Sequence, residues 1–345
     1  MANNKKFDTS RIFRYSISTM KMTHLHGKNI LITGGTGTFG RAIVRHLLAI
    51  PKVFRVVVFS RDEFKQSEMA REFKDSRLLF FLGDVRNKER LLRAFNGVDI
   101  VIHAAALKQV PALEYNPTEA IDTNVIGTRN VIEAALDCNV AQLLVISSDK
   151  AVHPVNLYGA TKMCAERLAI AANSYRGTKG TTRISVIRYG NVLGSRGSIV
   201  DLIEKQRASG VIPLTDKRMT RYWIHIDKVI GHVIEVLLLM ESGEIFIPKM
   251  SSTKVIDLIK ALAPECTLTV IGMRPGEKIH ETIITEYESK RTRDTGSMYV
   301  IEPEFTSWAR PNSLVHYPLL PKGAVHSSDH KRCLLPAKRA KEVLA

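Results

Sequence analysis

Residues 28–50 read KNILITGGTGTFGRAIVRHLLAI, and this order of residue types decides the fold. The apolar run Ile30-Leu31-Ile32 ends at Thr33 and passes through a glycine-rich turn directly into a helix-length amphipathic segment. Gly34, Gly37 and Gly40 stand at G-x-x-G-x-x-G spacing. Between a strand and a helix, glycines at such spacing serve a tight turn, close approach of backbone to a pyrophosphate, and close packing of helix on strand. The helix start then offers unpaired N–H groups to the anion. Thr36, Thr38 and Phe39 complete the loop, and with the three glycines they are expected to cradle a dinucleotide.

Outward from this loop the pattern repeats. RVVVFS, RLLFFL, DIVIHAA, QLLVIS and RISVIRYG alternate with EFKQSEMAREF, KERLLRAF, PTEAIDTNVIGTRNVIEAAL and YGATKMCAERLAIAAN. Continuous apolar runs mark strands buried on both faces, which requires a parallel sheet covered by helices. The expected fold is therefore α/β, a doubly wound parallel (Rossmann) sheet with a smaller C-terminal substrate-binding lobe. Residues 27–190 form the dinucleotide-binding domain in this reading, and 191–345 the lobe, with some elements returning to the sheet. Residues 1–26, rich in Lys and Arg, are expected to be a disordered extension; a weak transit peptide, or a native start at Met20 or Met22, are the alternatives.

The 345 residues carry a net charge of +16. The basic residues are spread along the chain with no run of five, so a solvated basic surface is expected and a nucleic-acid partner is not. The longest apolar stretch, Val233 to Met240, contains Glu235 and is far short of the roughly 20 residues that span a bilayer. No membrane partner is expected. Cys138, Cys164, Cys266 and Cys333 lack ligand spacing, which suits reduced thiols in a cytoplasm and no metal site.

An NAD site usually ends its second strand with an acid that holds the ribose hydroxyls, whereas here Ser60-Arg61-Asp62 follows RVVVF. A hydroxyl and a guanidinium suit a 2′-phosphate, so NADP is the expected cofactor. Arg61 as a surface charge with Asp62 capping the next helix, or Asp62 serving NAD, are the alternatives. Asp84 would face the adenine, and Ala104, Ala105 and Ala106 would leave room for the cofactor. Lys65, Val85, Thr123 and Val192 complete the expected contacts.

Tyr158 and Lys162 are four residues apart on a helical segment and so share a face. An ammonium and a positive nicotinamide ring would lower the phenol's pKa, so that it removes a hydroxyl proton while hydride leaves the same carbon. These residues, with TGGTGTFG and the Ser147-Ser148 pair, resemble the extended short-chain dehydrogenase/reductases. LKQVPALEYNP (107–117), SSDKA (147–151), YGNVLGSRGS (189–198), RMTRYWI (218–224) and GMRPGEKIHE (272–281) further resemble the inverting UDP-N-acetylglucosamine 4,6-dehydratases of pseudaminic acid synthesis, over roughly residues 27–300.

The resemblance implies oxidation at C4 of the hexose, removal of the C5 proton, loss of the 6-hydroxyl as water and return of hydride to C6. Tightly bound cofactor ends unchanged. By the same resemblance Asp149 protonates the 6-hydroxyl, Lys150 takes the C5 proton, and Ser148, where the family commonly has Thr, bonds the C4 oxygen. Asn191 would face the sugar nucleotide, Arg274 the diphosphate, Glu277 the uridine ribose and Lys108 the sugar; Arg196 and Thr215 are further expected substrate contacts. Arg196 and Arg221 are equally read as ordinary salt-bridge partners, and His103 and His225 as core or loop histidines. A homo-oligomer is expected.

Two physical demands follow. A base lysine must be neutral, so burial, Lys162 and the oxidised nicotinamide would have to outweigh Asp149. Neighbours on a strand point to opposite faces, so the chain must leave strand geometry at about Ser148 for both side chains to reach one sugar. Asp201 in place of a common proline, the basic tail from Ser327 and the N-terminal extension depart from the family pattern without touching this chemistry. A sugar-nucleotide epimerase of the same fold has no use for the Asp-Lys pair. A non-catalytic NADP-sensing or nucleic-acid-binding regulator has no use for Tyr158 and Lys162.

Overall fold

A computed structural model describes residues 23–175, 180–194, 199–305 and 313–344. Its strands are β1 (Asn29–Thr33), β2 (Arg55–Ser60), β3 (Leu78–Leu82), β4 (Ile100–His103), β5 (Gln142–Ser148), β6 (Arg183–Tyr189), β7 (Asn191–Leu193), β8 (Val211–Leu214), β9 (Thr220–His225), β10 (Ile245–Pro248), β11 (Ser251–Lys254), β12 (Thr267–Val270), β13 (Thr282–Ile284), β14 (Thr292–Asp294), β15 (Met298–Ile301) and β16 (His326–Ser327). The main sheet runs β14-β15-β10-β6-β5-β4-β1-β2-β3, so the first six strands have the 3-2-1-4-5-6 order of a doubly wound dinucleotide fold. They pair in parallel, β10 joins β6 in parallel, and β15 and β14 close the edge antiparallel.

The period of two along each strand explains why the apolar runs are continuous. Ile30, Ile32, Val56, Val58, Leu144 and Ile146 pack into one core, while Leu31, Val57, Phe59, Leu143 and Val145 pack into another on the opposite face. The first core takes Ile43, Val44 and Leu47 from the helix Thr38–Leu48 and Val229, Ile230, Val233 and Ile234 from the helix Ile226–Leu239. The second is covered by the helices Lys88–Phe95, Gly127–Asp137 and Leu157–Ala171. Each fully buried aliphatic side chain contributes about 1.5 to 3 kcal/mol.

Residues after 190 divide between this sheet and a lobe. The lobe contains β7, β9 and β11 in one small sheet, β8 and β12 in another, and a third core of Leu193, Ile203, Ile212, Leu214, Trp223, Leu258 and Ile259. PTEAIDTNVIGTRNVIEAAL reads as one helix, but it is divided into Pro117–Ile121, a π-helical turn Asp122–Ile126, and Gly127–Asp137. The wider turn brings Asn124 under the site, where it accepts from the Leu107 N–H at 2.8 Å and donates to the Leu107 carbonyl at 2.9 Å and Thr161 Oγ1 at 3.0 Å.

Candidate active site

The phosphate loop is built by close approach. Gly34 adopts φ +66°, and a Cβ there would lie 2.8 Å from Ala105 Cα in the β4 loop. A Cβ at Gly40 would lie 2.3 Å from the Gly35 carbonyl oxygen, so only glycine lets the helix start fold onto the turn. Gly37 is the helix N-cap and makes no side-chain cap bond, which keeps the helix start open to an anion.

Two adjoining cavities of about 560 and 270 Å³ run across the carboxyl ends of the strands, the crevice where a doubly wound sheet binds its ligand. The larger is walled by Gly34, Thr36, Gly37, Thr38, Phe39, Gly40, Lys65, Ala104, Ala105, Ala106, Lys108, Ser148, Lys150, Tyr158, Lys162, Asn191 and Val192. The smaller shares Gly34, Thr36, Lys65, Ala105 and Ala106 and adds Ser60, Arg61, Asp62, Asp84, Val85 and Thr123. Asp62 caps the helix Glu63–Glu72 by accepting from the Lys65 N–H at 3.0 Å, the capping role given above as an alternative. Arg61 lies half-exposed on the same wall, 3.5 Å from Asp84. The glycine cradle, with the buried hydroxyls of Thr123 and Ser147 that have no protein partner, fits a nicotinamide dinucleotide.

Strand β5 ends at Ser148, and Asp149–Ala151 turns as a 3₁₀ helix, the departure from strand geometry that two convergent side chains require. Lys150 Nζ lies 2.9 Å from Asp149 Oδ1 and 3.1 Å from Asn191 Oδ1. Ser148 Oγ donates to Asp149 Oδ1 at 3.0 Å. Asn156 caps the helix Leu157–Ala171, which carries Tyr158 and Lys162 onto this wall.

The electrostatics differ from the sequence expectation in two respects. Burial lowers the Lys150 pKa, but the carboxylates of Asp149 and Glu281, the latter 3.6 Å away, outweigh it and the lysine ends above its ordinary value. The second carboxylate is what the sequence reading missed, although Glu281 closes the quoted GMRPGEKIHE stretch. Tyr158 is also raised, by burial first, with Lys150 and the Ser148 hydroxyl pulling it back. Lys162 was expected to lower it; instead its Nζ donates to the Ile146 carbonyl at 2.5 Å, and burial brings its own pKa down to about 8. Asp149, wholly buried and beside Glu281, is raised despite Lys150, so it holds a proton more readily than an ordinary carboxyl. Burial lowers Lys108, with Asp201 opposing.

The remaining expected residues fall elsewhere. Arg274 is exposed and Glu277 half-buried on the loop after β12, and Thr215 follows β8; none lines these two cavities. Arg196 lies outside the described residues. Arg221 is a buried structural cation, donating to the carbonyls of Thr220, Lys278 and Ile279. His103 is a core histidine held between Thr33 and Thr128, and His225 is the N-cap of the helix Ile226–Leu239. Among the described residues no cluster of His, Cys, Asp or Glu would hold a metal, and no helix is long and apolar enough to cross a membrane.

Residues 30–303 match the model of a family described as polysaccharide biosynthesis protein. The chain belongs to this family. A UDP-N-acetylglucosamine 4,6-dehydratase (inverting) from Campylobacter jejuni strain 81-176 is 49% identical over 280 residues, 81% of this chain and 84% of that protein. A UDP-glucose 4-epimerase from Rickettsia prowazekii is 39% identical over 282 residues, 79% and 82% of the two chains. Among solved structures, Pen from Bacillus thuringiensis is 34% identical with a TM-score of 0.85, covering 93% of this chain and 98% of its own. DesIV, a dTDP-glucose 4,6-dehydratase from Streptomyces venezuelae solved with NAD and TYD bound, is 25% identical with a TM-score of 0.66, covering 73% and 86%. The family and the doubly wound fold are thus fixed by sequence and structure together.

Proposed function

We propose that the protein is a 4,6-dehydratase of UDP-N-acetylglucosamine that inverts C5, runs without net redox change and yields a UDP-4-keto-6-deoxy-hexosamine for surface glycan synthesis, such as that of pseudaminic acid. The observation that carries this reading is the convergence of Asp149 and Lys150 on one turn, beside Ser148 and Tyr158. Epimerisation at C4 needs a hydride mover and its proton acceptor; elimination of water needs an acid and a base as well. The 49% identity to an inverting dehydratase supports the same choice over the 39% identity to an epimerase.

The bound cofactor supplies reversible hydride acceptance. Gly34, Gly37 and Gly40 hold its pyrophosphate, and the half-exposed Arg61 beside Ser60 supports NADP over NAD through charge-assisted bonds to a 2′-phosphate. Tyr158, which burial keeps protonated at rest, must lose its proton before it takes the one on the C4 hydroxyl, and Lys150 and Ser148, which partly offset that burial, stabilise the phenolate. Asp149, fully buried behind the cavity wall and bonded through Oδ1 by Ser148 and Lys150, keeps its proton until the 6-hydroxyl leaves, as a general acid must. Lys150, a quarter exposed on the wall of the larger cavity, must give its own proton to solvent before it can take the one at C5. Lys162 orients the cofactor-side wall from its bond to Ile146.

Four free cysteines support a reducing, cytoplasmic setting. Exposed Tyr115, Ile121 and Met163 on packed helices support a homo-oligomer. The reading is tested with Lys150→Ala and Asp149→Asn. Both should retain the cofactor and lose dehydration by about a thousand-fold; Asp149→Asn should still transfer hydride from C4, and Lys150→Ala should do so more slowly because it removes a cation that stabilises the Tyr158 phenolate. Parent-level dehydration by either variant refutes the assignment of the pair.

A further inference from the structure

We propose that Glu281 is a positioning residue that holds the Lys150 ammonium from the lobe side and sets the proton inventory of the Asp149–Lys150 pair. The proposal rests on the dehydratase reading of that pair. Glu281 is 3% exposed and stands just before β13. Three cations face its carboxylate: Lys278 Nζ at 3.2 Å, Lys150 Nζ at 3.6 Å and Arg221 Nε at 3.8 Å. A carboxylate buried for packing alone has no reason to meet a catalytic ammonium, and its desolvation is unfavourable unless nearby cations offset it.

The scaffold fixes this carboxylate in place. The Glu281 N–H donates to Ser328 Oγ at 2.9 Å, Arg221 donates to the carbonyls of Lys278 and Ile279, and Lys278 Nζ donates to the Val152 carbonyl at 2.7 Å. Asn156 Nδ2, in the cap of the catalytic helix, donates to the Gly276 carbonyl at 2.7 Å. The loop of Arg274 and Glu277 is thereby strapped to the turn that carries Lys150. The charged and titratable groups around Lys150 are Asp149, Glu281, Arg221 and Tyr158, with Lys278 on the far side of Glu281. Both carboxylates stabilise the ammonium, while Glu281 also repels a charge on Asp149.

Glu281→Gln removes the charge and keeps the shape. Lys150 should then lose its proton at lower pH, and Asp149 should lose its proton at lower pH too. The experiment is pH-dependent competitive amine labelling of the full chain, with Lys150 read by peptide mass spectrometry. The expected result is a Lys150 titration lowered by about 1 to 3 pH units in Glu281→Gln. Lys278→Gln removes a competing cation and should raise it; this variant carries the test if Glu281→Gln does not fold. In turnover of UDP-N-acetylglucosamine, both limbs of the pH profile should move acidward in Glu281→Gln with UDP affinity unchanged. An unmoved Lys150 titration in the folded variants overturns the proposal. A shifted titration in a protein that does not dehydrate UDP-N-acetylglucosamine leaves the proposal standing and removes the dehydratase reading instead.

Discussion

Gly159→Ala tests whether the catalytic helix must seat directly on the acid–base turn. A Cβ at Gly159 would lie 2.3 Å from the Lys150 carbonyl oxygen and 3.1 Å from Pro154 Cβ. The first neighbour is backbone and cannot rotate away, so the helix start and the Asp149–Ala151 turn must separate by about 1 Å to restore van der Waals contact. Overpacking of this kind costs about 1 to 3 kcal/mol of stability. The same displacement moves Tyr158 away from Lys150 and Ser148, and misplacement by about 1 Å costs about a hundred-fold in rate. Gly231→Ala is the matched control. It lies inside the helix Ile226–Leu239 with nothing within 4 Å of its Cβ, so the same substitution should stabilise by about 0.5 to 1 kcal/mol and leave the rate unchanged. Thermal midpoints and kcat for the three proteins are the assay. A Gly159→Ala protein with parent midpoint and parent kcat would refute the claim that this contact sets the site.

Three further outcomes are expected. Arg188→Met leaves Glu166 and Glu288 buried without the guanidinium that now bonds both at 2.7 and 2.9 Å, and should cost about 3 to 5 kcal/mol in denaturant unfolding. Burial holds the His103 imidazole down to about 3, so the fold refuses a proton that the unfolded chain accepts below about 6.5. Stability should therefore fall as pH drops through that window, by about 2 kcal/mol at pH 5 relative to neutrality, and a His103→Gln protein that still folds should lack this component. Arg61→Ala should weaken NADPH binding about ten-fold while leaving NADH nearly unaffected, measured by cofactor fluorescence titration; equal losses for both would favour NAD.

The sheet was readable because its signal is local: two-sided burial makes β1, β2, β4 and β5 carry continuous apolar runs, and G-x-x-G-x-x-G can be checked against its flanking strand and helix. The break at Ser148 was readable by another route, since one sugar cannot be reached by neighbouring side chains of a strand. Glu281 was not readable, because its meaning lies in a contact with Lys150 that spans 131 positions and depends on how the lobe folds back. The π-helical turn at Asp122–Ile126 escaped for a similar reason. Its extra residue is set by the packing of Asn124 under Leu107 and Thr161, and helical periodicity runs through it almost unchanged.

Incubation of the purified protein with UDP-N-acetylglucosamine in deuterated water, with no added reductant, bears most directly on the central claim. The site predicts a product lighter than its substrate by one water, deuterium at C5 and no net consumption of NADPH. A product of unchanged mass, differing only in configuration at C4, would contradict it and assign the site to epimerisation.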